Sequence, residues 1–256
     1  MQHPPRAGTE AWLGGLSLLA LLALWQAVAL VMQSRFLPSP LVVASQILFL
    51  TREGHLITDF GVTLMRAAIG FVIAMCLGTA AGIGLGRSSL ADRLLRNWVV
   101  VGMNLPAIVI AILCYIWLGL NDTALILAVV LNKTPIVITN IRQGVLSFDP
   151  AFDEFAAAYR LSRRDRFWHI QVPQLVPYLL TAARTGLSLV WKIVLVFEVL
   201  GADSGVGFRV SLFFQFFDLK GILAYTTVFV GIVMALEHLA IAPVEQRLLA
   251  WRMDRT

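Results

Sequence analysis

The stretch Glu154-Phe-Ala-Ala-Ala-Tyr-Arg-Leu-Ser-Arg-Arg-Asp-Arg-Phe-Trp-His-Ile-Gln-Val-Pro-Gln-Leu-Val-Pro177 holds the residues of this chain best suited to gripping another molecule. Ala156, Ala157 and Ala158 have high helix propensity, and Asp149 or Asp153 can cap or favour the positive end of a helix over 154–160. Arg160, Arg163, Arg164 and Arg166, with Ser162 among them, then place four cations within seven residues, before Phe167, Trp168 and Ile170 supply apolar anchors. Pro173 and Pro177 are expected to bracket the return into an apolar run. Such a segment does binding chemistry rather than covalent chemistry. A second set of candidates is ionisable yet embedded in apolar sequence: Lys133, Arg184, Lys192 beside Trp191, Glu198, and Glu237 with His238. A third is nucleophilic, with Ser204 inside Ala202-Asp-Ser-Gly205 and His238 as a distant base.

The elements that must position these groups are membrane spans. Hydrophobic residues make up 59% of the 256 residues and charged residues 14%, and mean hydropathy is +0.81. Soluble domains are about half apolar and a quarter charged, so this is an integral membrane protein. One domain over 1–256 suits the length, with a core at 58–252 and a cytoplasmic loop at 151–177. The net charge of +5 is spread over short loops beside apolar runs, which argues for topology signals and against nucleic acid. Cys76 and Cys114 both lie in apolar runs, so neither a disulfide framework nor a metal site is indicated. The charge-free stretch from Trp12 to Ser34 is longer than a secretory signal and is expected to remain as a first helix.

Apolar runs predict an all-α polytopic fold with six spans, near 12–33, 58–86, 97–119, 123–141, 175–200 and 221–244. With the N-terminus inside, the inner segments carry Arg6, Arg87, Arg93, Arg96, Arg142, Arg160, Arg163, Arg164, Arg166, Arg247, Arg252 and Arg255. The outer segments carry only Arg35, Arg52, Arg209 and Lys220. This bias places both termini and the 154–177 segment in the cytoplasm. Leu37-Pro-Ser-Pro40 stops the first helix, Leu41–Leu50 reads as a short interfacial helix, and the glycines of 201–207 end the fifth span before a further outer segment over 208–217. Gly70, Ala74, Gly78, Gly82 and Gly86 form a stripe of small residues along the second span, fit for close helix packing.

A charge at the centre of a bilayer costs about 2.5 to 3.5 kcal/mol unless it faces protein or water. At 100° per residue, Arg184 and Glu198 lie within about 40° of each other and Lys192 about 80° from Arg184, so the three share one broad face. Arg184 is near enough to one end to snorkel, and Glu198 near enough to the other to reach headgroups. Lys192, in mid-span beside Trp191, is the stronger pathway residue, and a desolvated cation there favours an anion. An ion pair with another span accounts for it equally well. Lys133 and Glu237 carry the same two readings.

Glu154-x-Ala-Ala, Phe167, Ile170, Pro173 and Pro177 resemble the EAA loop of binding-protein-dependent ABC importer permeases. Thr185-Gly-Leu-Ser-Leu-Val-Trp-Lys192, Glu198, Gly201, Gly205-Val-Gly-Phe208 and Glu245-Gln-Arg-Leu-Leu-Ala-Trp-Arg252 are similar to the nitrate, sulfonate and taurine branch. So are Leu37-Pro-Ser-Pro40, Thr63-Leu-Met-Arg66, Gly70-Phe71, Asn104-Leu-Pro106 and Trp117-Leu-Gly119. The resemblance implies a coupling helix between spans four and five, with Glu154, Ala156, Ala157, Arg160, Ser162, Arg163, Arg164, Arg166, Phe167 and Pro173 engaging an ATPase dimer. It also implies a second permease copy as a homodimer, an extracytoplasmic solute-binding protein, and a bacterial inner membrane around the spans. No cofactor belongs to the chain, since ATP and Mg would sit on the partner ATPase. One position departs from the pattern: the family's turn glycine falls on Arg160. Either the turn is built differently, or Arg160 adopts a left-handed conformation at a cost on the order of 1 kcal/mol.

Other classes are weighed against this. A plain positive-inside loop explains Arg163, Arg164 and Arg166, but neither the Glu-Ala-Ala spacing nor the paired prolines. A six-span intramembrane serine protease would use Ser204 and His238, although Ser beside glycines is ordinary turn chemistry. An ion-driven secondary transporter would use Lys133, Lys192 and Glu237, but no inverted repeat is found. The run Gly82-Ile-Gly-Leu-Gly-Arg-Ser88 lacks the lysine and spacing of a phosphate-cradling loop, so ATP hydrolysis is not expected of this chain.

Overall fold

A computed structural model of the chain describes residues 7–34 and 36–236. The chain packs as two compact units, one of residues up to Ile57 with Val210–Val230, the other of Thr58–Arg209 with the residues from Gly231 on. Among the described residues the regular structure is helical, and five helices are long and apolar enough to cross a membrane, six if one bent pair counts as a single span. The final part of the expected sixth span, with Glu237, His238 and the 245–252 motif, lies outside the described residues, as do Arg6 and Arg35.

In the smaller unit, α1 (Ala7–Met32) is apolar on all sides and, from Gly15 on, buries only Ala29, as expected where lipid is the solvent. Trp25 Nε1 donates to the Pro38 carbonyl at 3.1 Å and fixes the turn into α2 (Pro40–Arg52). Ser39 caps α2, and Pro40 occupies the first turn, where its missing N–H costs nothing. The expected short helix over 41–50 is therefore present.

The larger unit is built on a parallel seam between α3 (Leu56–Arg87) and α6 (Asp122–Leu146). Gly70, Gly78, Gly82 and Gly86 meet Val129, Val137, Ile141 and Val145 in the same order along both helices. A methyl group added at Gly78 would lie 2.5 Å from Val137 Cβ, so the approach requires glycine. Ala74 and Lys133 occupy the intervening step of the same ladder, both buried. Two spans that run in the same direction need a return crossing between them. The only elements available are α4 (Ser89–Asn104) and α5 (Ala107–Leu118), so this bent pair completes the six-span topology.

That return crossing corrects the single straight span expected over 97–119. The pair bends by 97° at Leu105-Pro106. Pro106 has no N–H to donate, and its ring drives Leu105 to φ −67°, ψ 127°, an extended conformation. Arg93 and Arg96, expected in a loop, belong to α4, where Arg96 and Arg142 both pair with the buried Asp92.

A second correction concerns Pro173 and Pro177, expected to bracket the return into the membrane. A continuous helical path of 39 residues runs from Arg163 to Gly201, through α8 (Arg163–Arg166), a π turn (Phe167–Gln171) and α9 (Val172–Gly201), with both prolines inside α9. In strict α register the Pro173 ring would press on the His169 carbonyl. The π turn, in which Val172 N–H donates to the Phe167 carbonyl, widens the backbone over those residues. Leu175 and Ala182 of α9 pack with Val145, Ile141 and Val137, whereas Glu198 reaches Arg66, so α9 runs antiparallel to α3 and α6. One end of the bundle thus carries Arg66, Asp122 and Glu198, and the other carries Arg87, Val145 and the 147–171 segment.

Candidate functional site

The 147–171 segment is pinned to the bundle at both ends, and α7 between them is largely exposed. Gln174 Oε1 accepts from Asp149 N–H at 3.1 Å, and Ser147 Oγ donates to Tyr178 Oη at 2.7 Å. Asp149 caps α7 (Pro150–Ala158) by accepting from Ala151 N–H at 2.9 Å, and Pro150 sits in its first turn. The helix expected over 154–160 is therefore displaced toward the N-terminus, with Glu154 at its centre. Arg160 follows with φ 50°. Its N–H donates to the Ala157 carbonyl at 3.1 Å, and Leu161 N–H to the Ala156 carbonyl at 2.9 Å, the paired bonds of a helix-ending motif that favours glycine. Of the two alternatives, the turn keeps its usual form and Arg160 carries the left-handed strain, about 1–2 kcal/mol.

Ser162 then starts α8, its Oγ accepting from Asp165 N–H at 3.1 Å and donating to Asp165 Oδ2 at 2.6 Å. Arg166 pairs with Asp153 of α7 at 2.7 Å, which ties the two short helices together. Arg164, like Arg160, is exposed. Phe167 is half-buried under the Arg87 guanidinium, 5.9 Å from its ring centroid.

Only Ala156 of the nine residues of α7 is buried. A helix this short has little stability of its own in water, and it exposes a row of aromatic side chains. Phe152, Phe155 and Tyr159 are 47%, 51% and 69% exposed and fall within about 60° of arc on the helix. The Phe155 and Tyr159 rings are 4.5 Å apart. The sequence reading missed these aromatics, although their i, i+3, i+7 spacing is the signal for one helix face.

The opposite end of the bundle holds a buried polar centre. Arg66, 1% exposed, donates from Nε to Asp122 Oδ1 at 2.9 Å, from Nη1 to Glu198 Oε1 at 2.8 Å, and to both the carbonyl and Oγ of Ser204 at 2.7 and 2.8 Å. The Glu198 carboxylate also accepts from Thr63 Oγ1 at 2.9 Å and from Gly207 N–H at 2.8 Å. Thr63 Oγ1 in turn accepts from Val206 N–H. The 202–207 loop is thereby folded onto Glu198 so tightly that a Cβ at Gly205, where φ is +98°, would lie 2.4 Å from Glu198 Oε1. These glycines do more than end a helix. Arg66 was recognised in the sequence only as part of Thr63-Leu-Met-Arg66, with no role.

The three charges of α9 expected on one face are divided. Arg184 and Lys192 are exposed, whereas Glu198 is buried against Arg66. Lys192 and Glu198 lie about 120° apart around the helix, too far for one environment. Trp191 is buried. Lys133 is 3% exposed within the α3–α6 seam, while Glu237, which could pair with Lys192 or Lys133, lies outside the described residues. Ser204 accepts from Arg66 and donates to Asp203 Oδ1 at 2.9 Å, which makes it a strut in the polar centre. The base suggested for it, His238, also lies outside the described residues.

Residues 74–254 match the sequence model of the binding-protein-dependent transport system inner membrane component family. The chain belongs to this family. It is the permease subunit of an ABC importer. The permease is 26% identical over 255 residues to the putative aliphatic sulfonates transport permease protein of Bacillus subtilis, covering 98% of this chain and 92% of that protein. It is 26% identical over 242 residues to the taurine transport system permease protein of Escherichia coli, covering 92% and 88%. Its fold matches that of a chain in the inward-facing MetNI methionine ABC transporter with a TM-score of 0.64, at 15% identity, over 73% of this chain and 92% of that one.

Proposed function

We propose that the permease carries a small anionic solute of the sulfonate, taurine or nitrate kind inward, driven by a separate ATPase dimer that grips α7 and α8. The observation that carries the coupling is α7 itself, a capped nine-residue helix with one buried residue and an exposed aromatic row. In this reading Phe152, Phe155 and Tyr159 enter an ATPase groove, and Glu154, Ala157, Arg160 and Arg164 make the surrounding contacts. Arg163, Arg166 and Phe167 hold the segment's shape. The chain performs no catalysis, and ATP and Mg bind the ATPase. A second copy of the chain completes the path, a solute-binding protein delivers the solute at the Arg66 end, and both termini face the cytoplasm.

Among the residues expected on the path, Lys192 is exposed and without an ion-pair partner among the described residues, so it can attract an anion, with buried Trp191 beside it. Glu198 has its carboxylate committed to Arg66, Thr63 and Gly207, and it anchors the outer end. Nucleotide binding would close the ATPase pair and swing the spans between inward- and outward-open states.

The test is co-purification of the ATPase with the permease, set beside thiol labelling of Ala157→Cys in intact and opened cells. Phe155→Ala with Tyr159→Ala is expected to lower ATPase retention at least tenfold while the permease still inserts. Undiminished retention, or labelling of Cys at 157 from outside intact cells, would overturn the reading.

A further inference from the structure

Behind the proposed docking helix, at the end where α3 and α6 terminate, lies a cavity of about 460 Å³ lined by Arg87, Val145, Phe148, Asp153, Arg163, Arg166, Phe167 and Gln171. Its volume is in the range of small-molecule sites, and its charge is out of balance. Three guanidinium groups face it against the single carboxylate of Asp153, which Arg166 already engages. Arg87 donates to the neutral Gln171 side chain and rests on the Phe167 ring, and among the described residues it has no carboxylate partner. Arg163 has none either. The Nε of Arg166 is buried and without an acceptor, a donor of the kind that folded proteins rarely leave unmet.

We infer that this cavity binds a phosphate-type oxyanion, and that the headgroup of an anionic phospholipid supplies it. The planar guanidinium fork matches phosphate oxygens bidentately. An anion there would relieve the repulsion between Arg87 and Arg163 and tie the end of α3 to α8. The source follows from the walls: Val145, Phe148 and Phe167 are apolar, and the cavity sits beside the ends of two spans, α3 and α6. Basic clusters beside spans attract acidic lipids by roughly 1 kcal/mol per cation. The inference rests on the proposed topology only for which leaflet provides the lipid. Headgroup binding would brace the base of the coupling segment without occupying the aromatic row of α7.

The experiment uses the permease–ATPase complex in nanodiscs of dioleoylphosphatidylcholine containing a minor fraction of dioleoylphosphatidylglycerol, with lipids retained on the permease counted by native mass spectrometry. Wild type is expected to keep phosphatidylglycerol over phosphatidylcholine. Arg163→Gln and Arg87→Gln should each reduce that retention about fivefold. Arg93→Gln, which removes an exposed cation at the same end outside the cavity, should not. Arg163 begins a short exposed helix, so its variant remains informative if the Arg87 variant fails to fold. A parallel arm adds inorganic phosphate to discs of phosphatidylcholine alone. Protection from thermal unfolding that equals phosphatidylglycerol, and is lost in Arg163→Gln, supports the oxyanion site but overturns the lipid as its source. Retention unchanged in both cavity variants, an equal loss in Arg93→Gln, or phosphatidylglycerol held by the free permease and expelled by the ATPase overturns the inference. None of these readouts depends on transport, so failure here is distinct from failure of the coupling reading, which the ATPase retention test reports.

Discussion

Replacing Glu198 with Gln preserves shape and volume at the most constrained point of the permease, and the effect follows from its contacts. Oε1 accepts from Arg66 and Thr63, and Oε2 accepts from Thr63 and Gly207 N–H. An amide has only one acceptor oxygen, so its NH2 must oppose either the Arg66 guanidinium or the Gly207 N–H. The change removes a charge-assisted bond worth about 1.5–3 kcal/mol and leaves a buried donor unsatisfied at about 1–3 kcal/mol. The expected loss is about 3–5 kcal/mol, the range for breaking a buried ion pair from one side. Arg66→Met should cost as much, because Glu198 is 1% exposed and has no other cation among the described residues. The pair Arg66→Met with Glu198→Gln removes both charges, and Asp122, whose side chain is 54% exposed, can hydrate. Its cost should fall short of the summed single losses by at least about 2 kcal/mol. Titration of the purified protein from mild detergent into dodecyl sulfate, followed by tryptophan fluorescence, gives all four stabilities. Single losses below about 0.5 kcal/mol, or a double loss equal to the sum, would show that the buried centre does not anchor this end of the bundle.

Arg160→Gly should stabilise the end of α7 by about 0.5–1 kcal/mol, the left-handed strain relieved less the added entropy of glycine in the unfolded chain. Hydrogen exchange at the Leu161 amide should slow about two- to fivefold, and faster exchange would show that the guanidinium itself holds the turn. Gly70→Ala would put a methyl 2.7 Å from Val129 Cγ1 and should cost about 1–3 kcal/mol by overpacking. Adding Val129→Ala should recover most of that, and no recovery would place the strain elsewhere than in the α3–α6 seam.

Much of the fold was legible because lipid imposes a simple code. The runs at 58–86 and 123–141 became α3 and α6 with ends shifted by at most a few residues, and the small-residue stripe of α3 became the packing seam. The turn at Arg160 was legible only as two alternatives, since the motif marks the position but not whether the turn keeps its form, and the structure decides for the left-handed conformation. The break at Pro106 carried a local signal, but the surrounding apolar run outweighed it in the reading. Pro173 and Pro177 misled for the opposite reason: a π turn absorbs what proline removes, and sequence spacing does not reveal that remedy. The Arg66–Glu198 centre could not be read at all. The two residues are 132 positions apart, and each alone is only a charge in an apolar stretch. Their meeting depends on α9 running antiparallel to α3, a property of the whole bundle. Phe152, Phe155 and Tyr159 were visible but overlooked, because the arginines around them drew the reading toward charge.

The unbroken path from Arg163 to Gly201 spans 39 residues, a contour of roughly 58 Å at 1.5 Å per residue. One end is held through Arg166 by Asp153 of α7, and the other carries the carboxylate that clasps the 202–207 loop. Such a piece works as a crank. If the π turn and the prolines stay rigid, a swing of about 5° at the Arg163 end sweeps the Glu198 end through roughly 5 Å, the rise of one helical turn, which is the displacement the proposed coupling would have to deliver to the 202–207 clasp.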